Sequence, residues 1–150
     1  MTVKKLFCGE TFDVTGVGYE TIGQFYKNGI ALQQQKPLLV DFQKQDSDRL
    51  KVLLTAGTYC NNANLTRDGK VLGDPTEAAL LVSATKANIT TSGERVLEIP
   101  FSSERKMMSI VIKKDNRYVV YTKGAPEVLV AKCQMNTQER DTALRQTQAD

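Results

Sequence analysis

Two runs rich in valine, isoleucine and tyrosine flank a polar stretch in the last third of the chain. The runs are residues 109–113 and 118–122, and the polar stretch between them is residues 114–117. β-Branched and aromatic residues favour strands, and a short polar stretch between two such runs favours a turn. This pattern predicts an antiparallel hairpin.

Similar patterns predict further short strands. Turn signals separate three extended candidates at residues 3–8, 11–14 and 24–26, and a fourth strand at 96–101 leads into the hairpin. Residues 38–42 are a strand candidate inside a segment that otherwise has no clear pattern. We also expect the polar connection after residue 60 to turn at Asp68-Gly69.

The clearest helix signal begins at Gly73. Asp74 suits the N-cap, Pro75 the first helical position, and Glu77 the third position, where a capping box has an acid. The apolar pattern continues to about Asn88. The sequence therefore predicts a helix that starts just after Asp74.

Three other helices complete the predicted set. Residues 46–60 have the apolar spacing of a helix buried on one face, with Asp46 or Ser47 as cap. A proline begins a short helix at 126–133, and residues 137–150 form an exposed polar helix. Strands dispersed among helices and joined by hairpins predict an α+β fold, a mainly antiparallel sheet flanked by helices.

Composition limits the classes of function. The 150 residues suit one domain, and a hydrophobic share of 41% with a charged share of 25% is typical of globular proteins. The net charge of +3 suits a phosphate ligand but is too small for a nucleic-acid surface. We expect a single domain over residues 1–150, monomeric and without a nucleic-acid partner.

The residue types present exclude several kinds of site. The chain has no histidine, which excludes the usual serine and cysteine catalytic triads and most zinc-hydrolase sites. Cys8, Cys60 and Cys133 lie far apart, so we expect three core residues in a reducing compartment, without disulfides or a metal site. No apolar run approaches the ~18 residues of a membrane span, and no signal peptide is expected.

The predicted hairpin folds the chain back on itself, so the segment before its first strand should lie close to the segment after its second. A candidate site is expected where these two segments meet. An aromatic ring that can stack on a base, beside ammonium groups that attract anions, can hold a nucleotide. Small residues nearby would let a ligand approach the backbone. The residues before the hairpin are Phe101, Ser103, Arg105 and Lys106, and those after it are Lys123, Gly124 and Ala125.

Simpler interpretations of these residues remain open from spacing alone. Phe101 could be an aromatic residue of the core, and Lys106 and Lys123 could be ordinary solvated charges. Glu77 could serve only as the acid of a capping box. Gly16 and Gly18 begin like a dinucleotide fingerprint, but they are better explained as turn glycines because Thr21 stands at the third glycine position. The chain also has no GxxxxGK[ST] motif, so we expect phosphates to be held loosely near lysines.

Three motifs then resemble one family in order and spacing. GDPTEAAL at residues 73–80, PFSSERKMMS at 100–109 and KGAPE at 123–127 closely resemble the nucleotide-binding (N) domain of P-type cation-transporting ATPases, particularly the bacterial calcium-type branch. The resemblance extends to about Cys133. In that family, a phosphorylated-aspartate motif, DKTGT, lies a few residues before a segment like residues 1–3.

The resemblance implies a role for each matching residue. Phe101 would stack on adenine, and Glu77 would form a hydrogen bond with the amino edge of that base. Lys123 would line the base and ribose pocket. Lys106 would lie near the base and phosphates. The wall would be completed by Met108, Gly124 and Ala125.

Two departures from the family pattern bear on the phosphates. The position of Ser103 is often arginine in the animal calcium pumps, so one contact is missing unless Arg105 partly substitutes for it. The family also uses an arginine after a helix like the last one here. Arg145 is a candidate for this arginine, although we expect the family's arginine to lie beyond the end of this chain.

The implied function is that of a substrate-presenting module. The chain would bind ATP by its adenine and present the γ-phosphate to an aspartate of a separate phosphorylation domain, in an ATP-driven cation pump of the calcium type. Mg²⁺ would be bound mainly through the phosphates and that domain, so no catalytic or metal-binding residue is expected here.

The expected partners are the phosphorylation and actuator domains of the same polypeptide. The chain would be a cytoplasmic domain of a membrane-embedded pump, without direct membrane contact. Two alternatives remain: a degenerate N domain that only docks on neighbouring domains, and a free-standing phosphotransferase.

Overall fold

A computed structural model describes residues 1–32 and 44–148 of the protein. The chain divides into two compact units, Met1–Thr91 and Ser92–Asp150. Antiparallel sheets and helices occur together, which confirms the predicted α+β class. The assignment of residues 1–150 to one domain stays a prediction.

The first unit begins with a four-stranded antiparallel meander. Its strands are β1 (Lys5–Phe7), β2 (Thr11–Val14), β3 (Phe25–Lys27) and β4 (Ile30–Ala31), paired in that order. The first three confirm the predicted strands. Strand β4 was not predicted, since it is only two residues long, and the candidate at 38–42 lies outside the described residues.

Two helices and a small hairpin follow in the same unit. Helix α1 spans Lys44–Tyr59 and α2 spans Pro75–Lys86, with strands β5 (Asn64–Leu65) and β6 (Val71–Leu72) between them. The turn at Asp68-Gly69 is confirmed, but the strands on either side were not predicted. The predicted cap of α1 was wrong, because the helix already begins at Lys44.

The core of the first unit lies between the meander and both helices. Leu50 and Leu54 of α1 are buried, as their spacing predicted, whereas Leu53 is exposed. The buried cluster consists of Phe12, Val14, Phe25, Leu32, Leu50, Leu54, Ala84 and Ala87.

Only part of the prediction for the cysteines holds. Cys60 is fully buried and Cys8 packs against the core cluster, which agrees with the expectation for both. Cys133 is exposed, so its assignment to the core was wrong. It follows the last residue of a short helix in the second unit, and that helix has no buried residues. None of the three cysteines forms a disulfide within the described residues.

A buried lysine joins α2 to the loop after β2. The Lys86 ammonium donates a hydrogen bond to the Thr15 carbonyl over 2.9 Å, and Lys4 donates to the Gly16 carbonyl over 2.8 Å. A Cβ at Gly16, whose φ is 101°, would lie 2.6 Å from the Lys86 nitrogen. Gly16 therefore lies in a loop with a positive φ, which agrees with the expected turn role, whereas the ammonium group beside it was not predicted.

The environment of Lys86 predicts an alkaline pH dependence of stability. Burial lowers the pKa of Lys86 below 10.5, the charge of Lys4 lowers it further, and Glu20 opposes both. Between the two pKa values the unfolded chain binds more protons than the folded one, so this contribution to stability increases as pH rises towards 10.5. The free energy of unfolding, measured with urea at a series of alkaline pH values, should increase more steeply with pH in the wild type than in Lys86→Met. Equal slopes for both proteins would contradict the prediction.

The second unit is built on a three-stranded antiparallel sheet. Its strands are β7 (Glu94–Ser102), β8 (Met107–Lys114) and β9 (Arg117–Gly124), in that order. The predicted hairpin is confirmed as β8 and β9. Its turn is Asp115-Asn116, and φ is positive at both residues, as a type I′ turn requires.

Two helices follow this sheet. Helix α3 spans Pro126–Lys132, as the proline predicted, and α4 spans Thr137–Gln146. Asn136 and Glu139 form a capping box at the start of α4, so this polar helix has a defined beginning. Both helices lack buried residues, and α4 is largely exposed, as its composition predicted.

Candidate functional site

Phe101 lies in a β-bulge near the end of β7. The register between β7 and β8 shifts between Ile99 and Ser102, so Pro100 and Phe101 together lie opposite Met108. An extra residue in one strand bends that strand and can re-aim a side chain. Phe101 is 58% exposed, which excludes the alternative of a core aromatic.

The strand register brings the aromatic residue and a lysine to the same end of the sheet. Met108 pairs with Lys123 across β8 and β9, and directly opposed residues of antiparallel strands point to the same face. Phe101, Met108 and Lys123 therefore form one row across the three strands. Met108 is buried, so it can contribute to a binding surface only as the floor between its two neighbours.

A four-residue turn at 103–106 connects β7 to β8. Ser102 fixes it, because the Lys106 amide donates to its carbonyl over 2.7 Å and the Arg105 amide donates to its hydroxyl over 3.2 Å. The Arg105 guanidinium donates back to the Pro100 carbonyl over 3.3 Å. Ser103 and Lys106 are exposed on this turn, so both side chains are accessible to a ligand.

The end of β9 closes against the same turn. The Ala125 amide donates to the Lys106 carbonyl over 2.9 Å. A Cβ at Gly124 would lie 2.6 Å from Cβ and 2.7 Å from Cα of Met107, and would also overlap the Lys106 carbonyl. Glycine is required at this position because two backbones meet there.

Gly124→Ala should separate these two backbones. We expect it to lower the free energy of unfolding by about 1–3 kcal/mol, since the clash is with main-chain atoms and Cβ, which relax poorly. Gly57→Ala in α1 is a matched control because its Cβ would make an ordinary 3.5 Å contact with Leu80. That control should be neutral or slightly stabilising. Urea unfolding checks both variants, and equal stabilities would contradict the close approach.

Glu77 belongs to the first unit. Asp74 caps α2 by accepting hydrogen bonds from the amides of Thr76 and Glu77 over 2.8 and 3.0 Å, which confirms the predicted N-cap. The Glu77 carboxylate accepts a hydrogen bond from the Asn62 amide over 3.0 Å. This bond orients a half-buried carboxylate, and a role in adenine recognition stays a prediction.

Asn61 is a buried polar residue of the first unit that the sequence did not single out. Its buried side chain donates to the carbonyls of Gly57 and Glu77 over 3.0 and 2.7 Å, and accepts from the Ala63 amide over 2.8 Å. It thereby joins the end of α1 to the first turn of α2. Asparagine is common in the exposed loops that follow helices, so the residue type at this position did not indicate burial.

Two further charged residues complete the description of the second unit. Lys106 forms an ion pair with Glu127 in the first turn of α3, with 3.7 Å between Nζ and Oε1. Glu127 was quoted within the KGAPE motif but not predicted as a site residue. Arg145 lies exposed in the last turn of α4, and the expectation that the family's downstream arginine lies beyond this chain stays a prediction.

Comparison with known proteins defines the class. A family model described as P-type ATPase, cytoplasmic domain N, matches residues 49–150. The chain therefore belongs to the family of P-type ATPase N domains, which confirms the resemblance and the expectation of a cytoplasmic domain.

Individual relatives agree with this assignment. A calcium-transporting ATPase of Bacillus subtilis is 39% identical over 142 residues, covering 87% of this chain and 15% of the relative. A probable cation-transporting P-type ATPase of Mycoplasma genitalium is 40% identical over 103 residues, covering 68% and 12%. Mouse calcium-transporting ATPase type 2C member 2 is 36% identical over 143 residues, covering 90% and 14%. The chain thus spans about one seventh of the length of these relatives.

None of the helices in the two described ranges has both the length and the apolar content needed to span a membrane.

Proposed function

We propose that this chain binds ATP by its adenine and presents the γ-phosphate to the aspartate of a separate phosphorylation domain. The observation that carries the proposal is the exposed ring of Phe101, held in a bulge in the same row as Met108 and Lys123. A ring that is more than half exposed has a face available to a ligand. It is suited to stacking, which every purine can accept.

The proposed contacts set the expected strength of ATP binding. One stacked base contributes about 1–3 kcal/mol, and a few exposed hydrogen bonds bring the total to roughly −4 to −5 kcal/mol. That corresponds to a dissociation constant on the order of a few hundred micromolar to a millimolar. The exposed amine of Lys106 would meet the phosphates, which would extend towards solvent.

This module would contribute orientation to the reaction. The nucleophilic aspartate and the Mg²⁺ ligands would come from the phosphorylation domain, and the actuator domain would be a further partner in the same polypeptide. Holding the adenine while the phosphates stay exposed turns an encounter of two reactants into an oriented intramolecular step. Movement of the domain would bring the γ-phosphate to the aspartate.

The transported ion is proposed from the relatives. Two of the three described above are named calcium-transporting ATPases, from a bacterium and from mouse. We therefore propose that the parent protein is an ATP-driven calcium pump. Ion selection would depend on membrane helices outside this chain.

Removing the stacking ring tests the proposal. Phe101→Ala should weaken ATP binding by about 5-fold to 150-fold, the equivalent of the stacking energy. Tyr118→Ala is the matched control, because Tyr118 is a similarly exposed aromatic residue on the same sheet, near the Asp115-Asn116 turn. The measurement is a titration with ATP followed by amide chemical shifts.

Two outcomes of this titration would contradict the proposal. The first is the absence of shifts at Phe101, Lys123 and Gly124 in the wild type at millimolar ATP. The second is unchanged affinity in Phe101→Ala, which would favour a degenerate domain that only docks on its neighbours.

A phosphate-release assay tests the alternative of a free-standing phosphotransferase. We expect no ATP hydrolysis above background, because the nucleophile is proposed to belong to another domain. Hydrolysis that is lost in Phe101→Ala would show that this chain carries its own catalytic group and would overturn the division of roles.

A further inference from the structure

We propose that Glu127 is the counter-charge of Lys106 and that it weakens the binding of nucleotide phosphates without affecting the base. The inference rests on the proposed function and adds a specificity-determining residue to that site. Its starting point is the ion pair between Lys106 and Glu127, with 3.7 Å between the charged atoms.

The backbone places these two charges side by side. Lys106 has a φ of 54°, which ends the turn sharply, and its carbonyl accepts the Ala125 amide. Helix α3 begins one residue later at Pro126, so Glu127 stands in its first turn. The main chain therefore brings the two residues onto adjacent segments, within reach of an ion pair.

The pair is suited to exchange of partners. The side chains of Lys106 and Glu127 are 55% and 61% exposed, and exposed ion pairs contribute little to stability. A nucleotide phosphate carries more negative charge than one carboxylate and offers several acceptor oxygens. Lys106 can therefore leave Glu127 for a phosphate without disturbing the fold.

After this exchange, Glu127 remains close to the bound phosphates. Like charges repel, so the carboxylate opposes part of the attraction that Lys106 supplies. The effect increases with the number of phosphates and is absent for a nucleoside. It decreases with salt, since both groups are exposed to solvent.

The consequence is a site that favours release of its phosphates. Adenine stacking on Phe101 supplies affinity for the base, while Glu127 limits the affinity for the phosphate chain. A module that must deliver a phosphoryl group to another domain benefits from this difference, because strong retention would oppose transfer.

The experiment compares ATP, ADP and adenosine in the wild type and in Glu127→Gln, by amide chemical-shift titration. At low salt, Glu127→Gln should bind ATP about 1.5-fold to 5-fold more tightly. The gain should be smaller for ADP and absent for adenosine. At about 0.15 M salt it should shrink, because the Debye length is then ~8 Å.

Glu104→Gln is the matched control. Glu104 is exposed in the turn that carries Lys106, and its replacement removes the same charge. Within the described residues, the ion pair of Lys106 is with Glu127 and not with Glu104. An equal gain in ATP affinity from both substitutions would indicate a general electrostatic effect of net charge, and it would overturn the proposal.

A double-mutant cycle tests whether Glu127 acts through Lys106. Lys106→Met alone should weaken ATP binding, and adding Glu127→Gln to it should give a smaller gain than in the wild type, because the competition for Lys106 is gone and only the direct repulsion of the phosphates remains. A full gain in the Lys106→Met background, or a change in adenosine affinity, would overturn the inference.

The failures of the two proposals are distinguishable. If the wild type binds neither ATP nor adenosine at millimolar concentration, the proposed function fails and the inference fails with it. If the wild type binds both and Glu127→Gln leaves ATP affinity unchanged, only the inference fails.

Discussion

The hydrogen bond from the Ala125 amide to the Lys106 carbonyl closes the sheet at the end where the candidate site lies. It forms because Gly124 has no Cβ, so β9 can approach the start of β8 at van der Waals distance. This contact fixes the turn that carries Lys106 and the start of α3. The positions of Lys106 and Glu127 therefore depend on one small residue and one amide.

Local chemistry was sufficient to predict most elements of the fold. The proline at 75 with the aspartate before it defined the start of α2, and the polar stretch at 114–117 defined the hairpin. The weaker predictions lacked such signals. Strands of two residues, such as β4, carry no pattern of their own, and α1 begins before the acidic and hydroxyl residues that resembled its cap.

The sequence indicated candidate residues for the site, whose role stays a prediction, but it did not indicate their geometry. A hairpin necessarily returns the chain, so the segments around Phe101 and Lys123 were expected to meet. Strand alternation alone did not predict the bulge, because an extra residue in a strand depends on pairing with its neighbour. The exposure of Phe101, the burial of Met108 and the ion pair of Glu127 are all tertiary facts that no local pattern contains.

Asn61 has a consequence for which substitutions the first unit tolerates. Its side chain uses both amide protons and its oxygen on three backbone partners, while only 6% of the residue is exposed. An aspartate of the same shape could accept from Ala63 but would leave two carbonyls facing a buried negative charge. A position that resembles a variable polar loop is thus chemically as restricted as a core residue, and substitutions there would alter the support of Glu77 without touching a ligand.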